Sequence, residues 1–159
     1  MIQRVQSLYY LVAMILLGVC LTGQDIYRFS TEKSYFALNA FGFHEAVNDE
    51  SGKILTSQSK PFYIVGILMV LLIFYVTMSY KKLNKQLKLA RYVSFFYLAL
   101  VIAVVIFGVT GNQYFYEGHC TRELGPGFSI LVVGFPFCFL AQLGIKRDKK
   151  LLDSLNRLR

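Results

Sequence analysis

Few side chains in this 159-residue chain could do chemistry, and those few crowd into two short stretches. His44 and Glu45 stand together in the first, and Glu117-Gly118-His119-Cys120 forms the second. Carboxylate, imidazole and thiolate are the donor types that hold zinc. The spacing argues against such a site: there is no CxxC or HExxH pattern, and two separate loops would have to converge. No metal, cofactor or catalytic residue is therefore expected, and an enzyme is the less favoured reading. The chain has three cysteines, Cys20, Cys120 and Cys138. A Cys20–Cys120 bridge on an oxidising side is left open, and Cys138 is expected within an apolar layer.

The elements that would position these groups are apolar. Segments 5–21, 62–78, 93–109 and 128–145 contain no Asp, Glu, Lys, Arg or His. Each approaches the ~20 residues that cross a ~30 Å hydrocarbon core. Hydrophobic residues make up 55% of the chain, more than a soluble domain of this length needs for its core. These features predict an all-α membrane protein, a four-transmembrane-helix bundle forming a single domain over 1–159. Its outer loops would be 22–60 and 110–127. The first apolar run follows Arg4 and ends near Cys20, as a lipoprotein signal does. Val19 is not the small residue that cleavage before Cys20 would want, so a retained span is expected.

Charge orients the bundle. Arg4, the run Lys81, Lys82, Lys85, Lys88 and Arg91, and the tail residues Lys146, Arg147, Lys149, Lys150, Arg157 and Arg159 fall on one side, with Asp148 and Asp153. The other side holds five basic and seven acidic residues, so the sides carry net +10 and −2 of the chain's +8. Positive-inside counting predicts cytoplasmic termini and a cytoplasmic middle loop. Lys81, Lys82, Lys85, Lys88, Arg91, Lys149, Lys150 and Arg157 are then the expected contacts with anionic headgroups. Aromatic-basic motifs of nucleic-acid binding are absent.

Spacing also marks packing surfaces. Gly134, Cys138 and Gln142 share one helical face with Ala141, and Ala99 and Ala103 form a small-xxx-small pair. Such faces mark helix contact in lipid. In the first outer loop the aromatic stretch Ser34–Phe43, the turn-like Asn48–Gly52 and then Ile54-Leu55-Thr56 predict a small extracytoplasmic β-hairpin. Tyr35, Phe36, Phe41 and Phe43 are its expected contact residues, being too many aromatics for a solvated linker. Ionisable groups inside the spans, which pumps and proton-coupled transporters require, are absent.

A resemblance adds to this reading. Met1-Ile2-Gln3-Arg4-Val5-Gln6-Ser7-Leu8-Tyr9, Asp148-Lys149-Lys150-Leu151 and Asp153 through Arg159 look like the ends of an uncharacterised four-span family of Bacteroidota, domain-of-unknown-function family 4293. Phe36 through Gly42 is similar to its first outer loop, and Asn156 departs from the acid expected before the Arg-Leu-Arg ending. The resemblance implies a bacterial inner membrane and brings no activity or functional residues. Two function classes stand: a structural or accessory subunit with a membrane-protein partner, which the missing motifs favour, and a lipid- or small-molecule-binding protein, or enzyme, with a pocket under the outer loops.

Overall fold

The computed structural model describes residues 3–30, 34–47, 54–115 and 121–157. Along the chain run α1 (Gln3–Cys20), β1 (Tyr27–Ser30), β2 (Ser34–Asn39), β3 (Gly42–Val47), β4 (Ile54–Ser59), α2 (Tyr63–Met78), a 3-10 turn (Ser79–Lys81), α3 (Leu83–Phe115), β5 (Thr121–Leu124) and α4 (Pro126–Arg157). The expected all-α, four-transmembrane bundle with one hairpin is not what the chain forms. A five-stranded antiparallel sheet of order β4-β3-β2-β1-β5 sits at one end of the helices. Among the described residues, only α3 and α4 contain stretches long and apolar enough to cross a membrane. The physical reason is length: at 1.5 Å per residue the 16 residues of α2 span about 24 Å, short of a ~30 Å core. By the same rise the 33 residues of α3 reach about 50 Å, so that helix outruns its apolar window and carries the basic run on its first turns.

Each helix buries a narrow seam at alternating three- and four-residue spacing, which keeps one stripe facing the bundle. On α1 the seam is Gln6, Tyr10, Ala13, Leu17 and Cys20; on α4 it is Leu131, Gly134, Cys138, Ala141, Ile145 and Asp148. These two seams meet antiparallel, placing Gln6 beside Asp148 at the far end and Cys20 beside Gly127 at the sheet end. Met69, Ile73 and Val76 of α2 and Ala90, Val93 and Tyr97 of α3 complete the core. Outside the seams the helices stay apolar: Leu8, Ile15, Leu68, Leu71, Phe95 and Ile106 are all more than half exposed. Only 22% of the α3 apolar window and 28% of that of α4 is buried, unlike the core helix of a soluble protein.

The sheet alternates its faces with the two-residue strand period. Tyr27, Phe29 and Leu38 turn toward the helices and pack on Phe107 and Phe128. The β2–β3 hairpin turns through Ala40 and Phe41, with Asn39 opposite Gly42. Asn39 Oδ1 accepts from the amides of Phe41 (2.9 Å) and Gly42 (3.1 Å), an Asx turn. Gly42 has φ +136°, and a Cβ there would run into the backbone of Gln58 and Lys60, so both conformation and space demand glycine.

Candidate functional site

The sheet does not lie flat on the helices. Between them is a cavity of ≈ 300 Å³, at the lower end of the roughly 300–1,000 Å³ typical of small-molecule sites. Leu17 and Leu21 of the α1 end form its back, Leu131 of α4 its floor, and Ile26, Leu38, Asn39 and Ala40 its roof. Val65 and Gly66 of α2, with Phe62 just before it, face Leu100, Ala103, Val104 and Phe107 of α3 across the remaining gap. Phe62, Val65 and Ala103 are exposed, which puts the mouth between the sheet ends of α2 and α3. The two helices are joined tightly at the far end by the 3-10 turn, and Gln86 Nε2 there donates to Val76 O at 3.3 Å. They can therefore diverge only toward the sheet.

Asn39 is the one polar residue in the lining, and its side chain is engaged within the sheet: Oδ1 closes the Asx turn and Nδ2 lies 3.4 Å from His44 Nδ1. A wall without free donors or acceptors recognises a hydrocarbon by shape and gives nothing to orient a polar reactant.

Above the cavity the outer face of the sheet carries a polar cluster. Asp25 Oδ2 accepts from Arg28 Nε and pairs with Nη2, both at 2.8 Å, and Asp25 Oδ1 lies 3.8 Å from His44 Nε2. Arg28 also stacks over Tyr35, 5.6 Å from the ring centroid. Arg28 is half exposed while Asp25 and His44 are largely covered, so the cluster ties the segment before β1 to β1 and β3. The sheet is clamped to α3 from below: Arg122 Nη1 of β5 donates to Gly108 O at 3.0 Å, and the Tyr27 ring rests where a Cβ of Gly108 would be. Burial of that phenol pushes its pKa up, and the nearby Arg122 offsets part of the rise.

The expected contact residues divide. Phe36 packs into the sheet core, Phe43 contacts Phe62 and Phe107 (both 5.7 Å between centroids), Phe41 lies 5.9 Å from Tyr63, and Tyr35 carries Arg28. Phe36 and Phe43 thus pack toward the helices, while Phe41 remains half exposed and Tyr35 lies on the outer face. Gly134 and Cys138 are buried in the α4 seam and Gln142 is half-buried, whereas Ala99 and Ala103 are exposed. Lys82, Lys85, Lys88, Arg91 and Lys150 are exposed and Lys149 is half-buried; the side chains of Lys81 and Arg157 lie outside the described set. Glu117, His119 and Cys120, and with them the Cys20–Cys120 pairing, also lie outside the described residues. Cys20 Sγ donates to Gly127 O at 3.1 Å. His44 and Glu45 are adjacent on β3 and so point to opposite faces.

Two features escaped the sequence. Asp148, counted from the sequence only as an acid on the basic side, is buried and accepts from Gln6 Nε2 through Oδ2. Its signal was there: Asp148 continues the 141, 145, 148 seam. Tyr97 fills the space over Gly134 and donates to Leu131 O at 3.1 Å. The cavity itself has no sequence signature.

A sheet-capped helical protein with two membrane-length apolar helices and an apolar chamber under the cap is the class these observations define. The chain belongs to the family described as Domain of unknown function (DUF4293), whose model matches residues 2–158. No curated protein matches it.

Proposed function

We propose that this chain is a multi-pass protein of the bacterial inner membrane that holds the hydrocarbon portion of a lipid-like molecule beneath its sheet. The observation that carries the reading is the cavity: its lining is apolar apart from the engaged Asn39, and its mouth lies among exposed apolar side chains of α2 and α3. A ligand partitioned into the bilayer reaches such a mouth sideways without crossing water. In this reading α3 and α4 cross the membrane. The basic start of α3 and the basic end of α4 lie in the cytoplasm and the sheet faces outward, with α1 and α2 packed alongside these two helices. Ala99 and Ala103 support a second reading, an accessory subunit: they are small, exposed and one turn apart on α3, a surface a partner helix could approach closely.

The test is purification from native membranes followed by solvent extraction and mass spectrometry, beside the Ala103→Phe variant. The expected result is a near-stoichiometric apolar compound in the native protein, absent from Ala103→Phe, with an unfolding midpoint that is unchanged or raised because the ring fills the mouth. A native protein that carries no such compound overturns the reading. A co-purifying polypeptide lost on Ala99→Leu would favour the accessory subunit instead.

A further inference from the structure

The far end of the bundle brings together two basic stretches that lie more than sixty residues apart in sequence. A groove of ≈ 420 Å³ lies between the start of α3 and the last turns of α4. Lys82 and Lys85 flank it on one side, Lys149 and Asp153 on the other, and Leu83 and Leu152 give it apolar walls. Lys85 is engaged elsewhere, its Nζ 3.3 Å from the Tyr75 hydroxyl and 5.8 Å from that ring's centroid. Lys82, Lys149 and Asp153 form no ion pair among the described residues, although they line one groove. Opposite charges that share a groove without closing on one another leave room for a ligand bearing both signs.

We propose that this groove binds the headgroup of a zwitterionic phospholipid with a primary amine: phosphate between Lys82 and Lys149, ammonium on the Asp153 carboxylate, and the start of the acyl chains along Leu83 and Leu152. The inference rests on α3 and α4 crossing the membrane and is independent of the cavity at the sheet end. A purely anionic headgroup would meet Asp153 as a like charge. A quaternary amine offers it no N–H donor. A phosphate ester of ethanolamine satisfies all three groups, and the first-turn amides of α3 add donors that helix geometry leaves without intrahelical partners.

The experiment uses the full chain in nanodiscs of equimolar phosphatidylethanolamine, phosphatidylglycerol and phosphatidylcholine with identical acyl chains, and counts lipids retained on gentle ejection into a mass spectrometer. Phosphatidylethanolamine is expected to dominate the retained lipid. Asp153→Asn should abolish that preference while phosphatidylglycerol is kept. Lys82→Gln with Lys149→Gln should lower retention of all three lipids, by about fivefold per lysine. All three positions lie at the groove's surface, so unfolding midpoints should stay put and report that the variants fold. Equal retention of the three lipids by the native chain, or a preference that survives Asp153→Asn, would overturn the inference alone. Release of the chain from membranes by alkaline carbonate would overturn the membrane reading and this inference with it.

Discussion

Replacing Gly134 tests the α1–α3–α4 seam at its tightest point. A Cβ on Gly134 would overlap the Tyr97 hydroxyl and approach Leu16 Cβ at 3.9 Å. Tyr97 is fully buried, and its hydroxyl is committed to Leu131 O, one turn from Gly134. Gly134→Ala gains about 0.5–1 kcal/mol of helix propensity. Against this, overpacking a filled seam costs about 1–3 kcal/mol, and moving the hydroxyl off its acceptor leaves a buried donor unpaired at a further ~1–3 kcal/mol. The net expectation is a loss of roughly 1–5 kcal/mol, and Gly134→Leu, with three more carbons to place, should cost more than Gly134→Ala and fail to fold stably. Tyr97→Phe removes the atom that collides, so the Gly134→Ala/Tyr97→Phe pair should recover at least ~1 kcal/mol relative to additivity. Equilibrium unfolding in one detergent, run as a double-mutant cycle, measures this. If Gly134→Ala unfolded like the native chain and Tyr97→Phe showed no coupling to it, the seam would be wrongly assigned.

Alkaline-phosphatase fusions should be active after Lys53 or Glu117 and inactive after Lys85 or Arg159; the reverse pattern would defeat the charge argument for orientation. Gln6→Leu strips the donor from buried Asp148 and should cost about 2–3 kcal/mol, whereas Gln6→Leu with Asp148→Leu, which removes both polar partners, should recover most of it. No recovery in the double variant would mean that Asp148 answers to another group. Amide exchange in β2 and β3, paired along their whole length, should be slow, and uniform rapid exchange across 34–47 would rule out a folded cap.

How legible each part was followed from the reach of its signal. The apolar windows located all four helices because the hydrophobic pattern is local. The helical spacing of Leu83, Leu87 and Ala90, and of Leu151, Leu152 and Leu155, also carries into the structure, where α3 and α4 continue through Lys85 and Lys150. The hairpin read from Ser34–Phe43, Asn48–Gly52 and Ile54–Thr56 showed that the first outer loop forms strands but misplaced the turn. The chain already reverses at Ala40 and Phe41, inside the aromatic stretch, and Asn48–Gly52 lies outside the described residues. Strands β1 and β5 were not visible: β1 has four residues, and β5, Thr121–Leu124, is polar and exposed along its length. Such strands exist because a partner pairs with them, and pairing across the chain leaves no local mark. Of the four outer aromatics, Phe36 and Phe43 pack toward the helices, whereas Phe41 stays half exposed and Tyr35 lies on the outer face under Arg28. Of the small-residue faces, Gly134 and Cys138 serve the internal seam, while Ala99 and Ala103 turn outward; spacing alone cannot tell the two apart. The cavity depends on how far α2 diverges from α3, which is a tertiary quantity.

The β1–β5 pairing also sets an order of assembly. Strands β1 to β4 are all made before α2, but β5 follows α3, and Thr121 Oγ1 reaches back 91 residues to Ser30 O. A chain emerging from the ribosome can therefore form most of the sheet early, with β1 left as an open edge until the third helix is complete. The late strand then closes that edge, and Arg122 and Tyr27 together lock the sheet onto Gly108. Closing the chamber is thus among the last events of synthesis, and a chain truncated before residue 121 would expose an unpaired β1 edge for quality control to recognise.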